Sequence, residues 1–90
     1  HYHALARLGE AHILLGAAYA PSGRVRARDY REGIQWCERA MATNPEFAAR
    51  AAAGGMEAAI ETLTAREYDA AFFWVTGVSF YFKECLRGPA

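Results

Sequence analysis

The sequence predicts an all-α fold of antiparallel helical hairpins, about four helices in all. Three observations carry that prediction. Alanine supplies 20 of the 90 residues and β-branched residues are only scattered; Ala loses no side-chain entropy in a helix, whereas β-branching restricts χ1 against the preceding turn. Apolar residues recur at spacings of three and four rather than two. Cap and breaker residues stand between the apolar runs, at Pro21-Ser22-Gly23, Asn44-Pro45-Glu46 and Thr64-Ala65-Arg66-Glu67.

The first helix is expected over about Ala4 to Tyr19, with Leu5, Leu8, His12 and Leu15 marking its apolar face. Pro21-Ser22-Gly23 ends it. A second helix, about Val25 to Thr43, carries Tyr30, Ile34, Cys37 and Met41 on one stripe, with Gly33 and Ala40 beside them where a neighbour can come close. Asn44 then offers a cap, Pro45 a pre-set φ and Glu46 an acid near the positive end of the next helix. That third helix, about Pro45 to Thr62, contains Gly54-Gly55, each costing about 1 kcal/mol relative to alanine in a helix interior, so a bend or break is expected there. Thr64 and Glu67 fit a capping box. The fourth helix starts near Ala65 and runs to about Leu86, stopped by Gly88-Pro89.

Ten Lys plus Arg balance ten Asp plus Glu, so no net field draws the chain to nucleic acid or to an anionic membrane. The longest charge-free apolar stretch, Ala70 to Phe82, falls short of the roughly 20 residues of a membrane-spanning helix and reads as a core helix. Cys37 and Cys85 form no C-x-x-C pattern, and whether they pair is open. His3 and His12 are too far apart in sequence for a helical metal pair. No Ser, Cys or Lys stands in a nucleophile setting, and Gly54-Gly55 lacks the lysine and the strand-turn-helix context of a phosphate loop. The prediction is therefore a non-enzyme without cofactor or metal. Arg24, Arg26, Arg28 and Arg31 could form a carboxylate-binding patch, but Asp29 and Glu32 among them make a solvated helix face the stronger reading.

Gly33 is followed four residues later by Cys37, then three later by Ala40 and five later by Pro45. This spacing resembles the second helix of a tetratricopeptide repeat, in which small residues admit the paired helix and the proline opens the next one. Leu5, Leu8, Gly9 and His12 match the first helix of that repeat more loosely. His12 replaces the usual aromatic, and the two helices are separated by about a dozen residues more than the simple repeat allows. The repeat is degenerate.

Tyr30, Gly33, Trp36, Ala40, Asn44-Pro45-Glu46-Phe47, Leu63-Thr64 and Phe72-Phe73-Trp74 together resemble the T component of tripartite ATP-independent periplasmic (TRAP) transporters. The likeness spans about Ala4 to Leu86 and rests mostly on packing positions. It implies a periplasmic lipoprotein with degenerate tetratricopeptide helices, of which residues 1–90 are one helical-repeat fragment of a larger domain. It further implies contact with the transporter's substrate-binding subunit, a cleft suited to an apolar or organic-acid ligand, and membrane attachment only through a lipid anchor outside these residues. Self-association is a further option, and the alternative function is a general protein-binding scaffold of tetratricopeptide type.

The fourth helix is apolar almost all round. Tyr68, Phe72, Val75, Val78, Phe82 and Leu86 occupy one face, and Phe73, Trp74, Gly77, Phe80 and Tyr81 another. Such a helix is expected to be covered by protein or ligand. Either further helices complete a core around it, or Trp74, Gly77 and Tyr81, at i, i+3 and i+7, line a cavity or partner groove. Trp36 lies off the stripe of the second helix and is equally open to packing or to partner contact. Trp74, Gly77, Tyr81 and Trp36 are therefore the candidate ligand- or partner-binding residues.

Overall fold

Ser22 sets the first reversal of the chain. Its hydroxyl accepts the Val25 amide at 3.3 Å, which caps α2 (Gly23–Met41) and sends it back along α1 (Tyr2–Ala18). The computed structural model describes residues 1–86, and these are all-helical, with no strand. Beyond α2 the elements are α3 (Pro45–Gly54), α4 (Met56–Ile60), a 3-10 turn (Ala65–Glu67), α5 (Tyr68–Tyr81) and a closing π turn (Phe82–Leu86). The expected stop at Gly88-Pro89 lies outside the described residues.

The α1–α2 pair is antiparallel, since Gly16 meets Tyr30 near one end and Gly9 meets Gly33 and Cys37 farther along. Its seam corrects the expected face of α1. Ala6, Gly9, Ile13 and Gly16 are buried, whereas Leu8 and Leu15 are exposed and Leu5 and His12 half-buried. Small residues point inward because α2 lies so close: a Cβ on Gly9 would stand 2.5 Å from Cys37 Sγ. On α2 the expected Tyr30, Cys37 and Met41 are buried together with Gly33 and Ala40, while Ile34 of the expected stripe is half-buried.

The predicted third helix is two helices. Gly55, at φ 86° and ψ −179°, occupies a backbone region that is essentially restricted to glycine, and the chain breaks there. Asn44 Oδ1 caps α3 by accepting the Glu46 and Phe47 amides at 3.0 and 3.3 Å. The predicted fourth helix is also subdivided, by a 3-10 turn at its start and a π turn at its end. The capping box is present, but it opens the 3-10 turn, and α5 proper follows.

α5 lies antiparallel to α2, with Trp74 beside Glu38 and Tyr81 beside Arg31. It also touches α1, where the Ala70 amide donates to Tyr2 Oη at 3.1 Å. Gly77 is where α5 crosses both partners, because a Cβ there would stand 2.7 Å from Ile13 Cδ1 and 3.1 Å from Ile34 Cγ1. α3 and α4 close one end through Phe47 and Ala59, packed with Ala6, Ala40, Met41 and Ala70.

Two polar ties fix the ends. Asn44 Nδ2 donates to the Thr62 carbonyl at 3.2 Å and to Glu67 Oε1 at 3.1 Å. Glu67 also accepts from the Thr64 amide and hydroxyl. One carboxylate therefore joins the caps of two helices. At the other end, fully buried Tyr30 donates its hydroxyl to Glu84 of the π turn at 2.9 Å, which satisfies a group that would otherwise be costly to bury.

Candidate interaction surface

Trp74, Gly77 and Tyr81 share one face of α5, as their spacing predicts. That face is closed against α2. Trp74 is half-buried and its Nε1 donates to Glu38 Oε2 at 3.0 Å. Gly77 is buried in the helix crossing. Tyr81 is half-buried, with the Arg31 guanidinium 6.0 Å from its ring centroid. These three residues form an interhelical seam, and Gly77 in particular meets side chains of α1 and α2 rather than open space.

Trp36 is half-buried on the outside of α2, with Arg39 stacked over its ring at 4.8 Å. Together with Glu32, Gln35 and Glu38 these two residues line an open cleft of about 470 Å³. Glu38 is the residue that holds Trp74, so the cleft lies beside the α2–α5 seam. A larger open cleft, about 710 Å³, sits at the end closed by Asn44 and Glu67 and is lined also by Tyr2, His3 and Arg66. Both stand open and mix polar and apolar walls in nearly equal measure, whereas an apolar ligand calls for an enclosing site with apolar walls and few polar contacts.

Glu67 is buried yet held below the usual carboxylate range. Burial acts to raise it, but the hydrogen bonds from the Thr64 amide, Asn44 and the Thr64 hydroxyl outweigh that effect, with help from Arg66. Its acceptor capacity is therefore engaged in holding the fold. Burial pushes the Cys37 thiol up to about 12, and the Glu38 and Glu10 carboxylates push in the same direction. Both cysteines are free thiols.

The arginine cluster is divided among separate tasks. Arg26 Nε donates to the Gly16 carbonyl at 3.0 Å, Arg28 lies 3.9 Å from Glu32, and Arg31 reaches Tyr81. His12 sits between Asp29 at 3.4 Å and Glu32 at 3.7 Å. Among the described residues no group of three or more His, Cys, Asp or Glu side chains is placed to hold a metal ion, and no helix is long and apolar enough to cross a membrane.

Large apolar residues stand exposed on α1, at Leu8, Leu14 and Leu15, at Tyr19 just beyond it, and on the opposite side of α5. Tyr68, Phe72, Val75, Val78, Phe82 and Leu86 are all exposed, at 65%, 51%, 56%, 37%, 57% and 59% of their full accessible surface. The Tyr68 and Phe72 rings stack on each other there at 6.2 Å, and Phe73 meets Phe72 edge-on at 5.2 Å. The sequence identifies this face, but periodicity gives no reason to prefer it over the Trp74 face as a binding surface. The usable signal is the four-and-three spacing of Tyr68, Phe72 and Val75, which puts them on one side of α5.

Compared with known proteins, no family model, curated protein or solved structure matches the chain.

Proposed function

We propose that this chain is a non-catalytic binding module that works through the outward face of α5. The observation that carries this reading is the contiguous apolar surface described above. At about 200 Å² for a large side chain, its exposed fractions amount to roughly 600 Å², the upper end of the largest patch found on typical soluble monomers. Patches of that size mark contact sites.

The finer reading is an accessory subunit of a TRAP-type solute uptake system, of degenerate tetratricopeptide build, lipid-anchored in the periplasm through a segment outside these residues. It contacts the transporter's substrate-binding subunit. The support for this finer reading is the string from Tyr30 to Trp74, together with the antiparallel α1–α2 pair that the string's packing positions form. The apolar or organic-acid ligand implied by the same likeness draws no support from the two clefts, which are open and enclose no site.

Copurification tests the reading. A tagged full-length protein, expressed from its own locus, is expected to carry a TRAP substrate-binding subunit with it from periplasmic extract, and Phe72→Ser is expected to release that subunit. A cytosolic product, or a locus without transporter subunits, refutes the transporter role and leaves the general scaffold.

A further inference from the structure

We propose that the π turn Phe82–Leu86 is a strap that opens and closes on α2, with Glu84 as its clasp, and that its position controls the far end of the outward face of α5. The proposal rests on the reading of that face as a contact surface and adds how the surface is regulated.

Little apolar packing holds the turn down. None of its five side chains is buried, and Phe82 and Leu86 are among the most exposed large residues of the chain. Turns closed by i→i+5 hydrogen bonds are rare, and they occur mostly as single turns inside helices, frequently at functional sites. An element with so few buried contacts opens at a lower free energy than the core to which it is attached.

The polar ties of the turn are concentrated in one residue. Glu84 Oε1 accepts the Tyr30 hydroxyl at 2.9 Å and lies 3.7 Å from Arg26 Nη1. Among the described residues no other side-chain hydrogen bond or ion pair joins the turn to a helix. The two halves of the clasp differ. Tyr30 is fully buried, its ring packed where Gly16 of α1 leaves room and 5.9 Å from the Phe80 ring of α5. That ring is a fixed anchor. Arg26 and Glu84 are partly exposed, so their pairing contributes little and the outer half of the clasp is within reach of solvent. Closure therefore depends mainly on the bond from Tyr30 to a charged acceptor.

The strap bears on the face because it carries Phe82 and Leu86. With Glu84 pinned inward on α2, both apolar side chains project outward and extend the surface that Tyr68, Phe72 and Val75 begin. An open strap takes both away and leaves a shorter surface. A partner that uses the full length binds the closed form and holds it shut, since a ligand favours the state that it contacts better.

Cys85 reports the position of the strap. It follows Glu84 and is a half-buried free thiol, whereas Cys37 is buried and reports whether the rest of the fold is intact. Native full-length protein is labelled with a disulfide reagent, each thiol is followed by mass spectrometry, and amide hydrogen exchange is followed over residues 82–86. Glu84→Ala is expected to speed both at Cys85 and in the turn by at least about tenfold. Glu84→Gln, which keeps an acceptor for Tyr30, is expected to speed them by less than about fivefold. Tyr30→Phe should reproduce Glu84→Ala, and the double variant should open no further than either alone. Cys37 stays protected throughout. Rates unchanged in Glu84→Ala, or a Cys85 that reacts only when Cys37 does, overturn the strap.

Control of the face is tested by the partner. Bound substrate-binding subunit is expected to slow labelling of Cys85 in the wild type, and Glu84→Ala to lose part of the capture that Phe72→Ser abolishes. A strap that opens while capture stays at the wild-type level overturns that control. A wild type that captures no subunit sinks the contact reading and the control with it, while the labelling rates alone decide the strap.

Discussion

Replacing Gly33 by alanine probes the closest approach between α1 and α2. An ideal Cβ at this position stands 2.6 Å from Ile13 Cγ1 and 3.0 Å from the Gly9 carbonyl oxygen. Favourable carbon contacts begin near 3.5 Å, so both distances lie on the repulsive wall. Ile13 is fully buried and β-branched, with one strongly preferred χ1 in a helix. The Gly9 carbonyl belongs to helical backbone. Neither neighbour can retreat without shifting a helix. With two fixed obstacles the cost falls in the upper part of the overpacking range, about 2–3 kcal/mol, and the better helix propensity of alanine returns about 1 kcal/mol. The expected net loss is about 1–2 kcal/mol, or a fall in Tm of roughly 5–15 °C for a domain this small.

Urea unfolding followed by far-UV circular dichroism measures it. Gly23→Ala supplies the control of opposite sign, because a Cβ at Gly23 meets nothing within 4 Å; it should be neutral or stabilise by about 0.5 kcal/mol. Combining Gly33→Ala with Ile13→Ala, which removes the nearer obstacle, should cost less than the sum of the two single changes. If Gly33→Ala is as stable as the wild type, or its effect adds to that of Ile13→Ala, the helices are not in contact at this point and the account of the seam is wrong.

Glu67→Gln is expected to lower stability at pH 7 by about 1–2 kcal/mol, because the cap bonds lose a charged acceptor. The native carboxyl lies below the usual carboxylate range, so its contribution is fully present above the unfolded value and is lost as pH falls through the native one. The gap between variant and wild type should therefore close on acidification, and a gap that persists at pH 2 contradicts the assignment. A thiol titration with a disulfide reagent at pH 8 should modify half-buried Cys85 first and buried Cys37 only on unfolding; equal rates refute the burial of Cys37. Trp74→Ala should cost about 2 kcal/mol, less than the roughly 3–5 kcal/mol of a fully buried tryptophan, because the ring is half-buried. Trp74→Phe should cost about 1 kcal/mol through the lost Glu38 hydrogen bond. Unchanged stability in Trp74→Ala would show that the residue does not hold the α2–α5 seam.

Local chemistry was the legible part of this fold. Asn44 and Pro45 open a helix, Thr64 and Glu67 form a capping box, and Gly55 breaks the chain, because each feature is specified within a few residues. The inner face of α1 was not legible. Periodicity weights large apolar residues, and leucines at 5, 8 and 15 outweigh the alanine and glycines that actually meet α2. Asn44 and Glu67, 23 residues apart, form a tie that no local pattern encodes, and the same holds for Tyr30 and Glu84 at 54 residues. The candidate site was half legible. Spacing placed Trp74, Gly77 and Tyr81 on one side of α5, but whether α2 closes that side is a tertiary fact.

The same misdirection explains why α5 offers its large residues to solvent. Its fully buried residues are Ala70 and Gly77, since contact with α1 and α2 demands small groups at the crossing, and its inner face is completed by Trp74, Phe80 and Tyr81 at the seam. Tyr68, Phe72, Val75, Val78 and Phe82 lie on the far side, where roughly half of their surface stays in water. Replacing one of them with a polar residue forfeits only part of the burial that a core residue would lose, so the fold should survive changes that abolish association. Folding and binding are thus written on opposite sides of one helix. Gly77→Ala, whose Cβ would meet Ile13 at 2.7 Å, should reduce stability, while Phe72→Ser, at a half-exposed position, should cost about 1–1.5 kcal/mol and leave the chain folded. A loss of about 3 kcal/mol or more in Phe72→Ser, the cost of truncating a core phenylalanine, would mean that the outward face is part of the core and that it is not free to receive any partner.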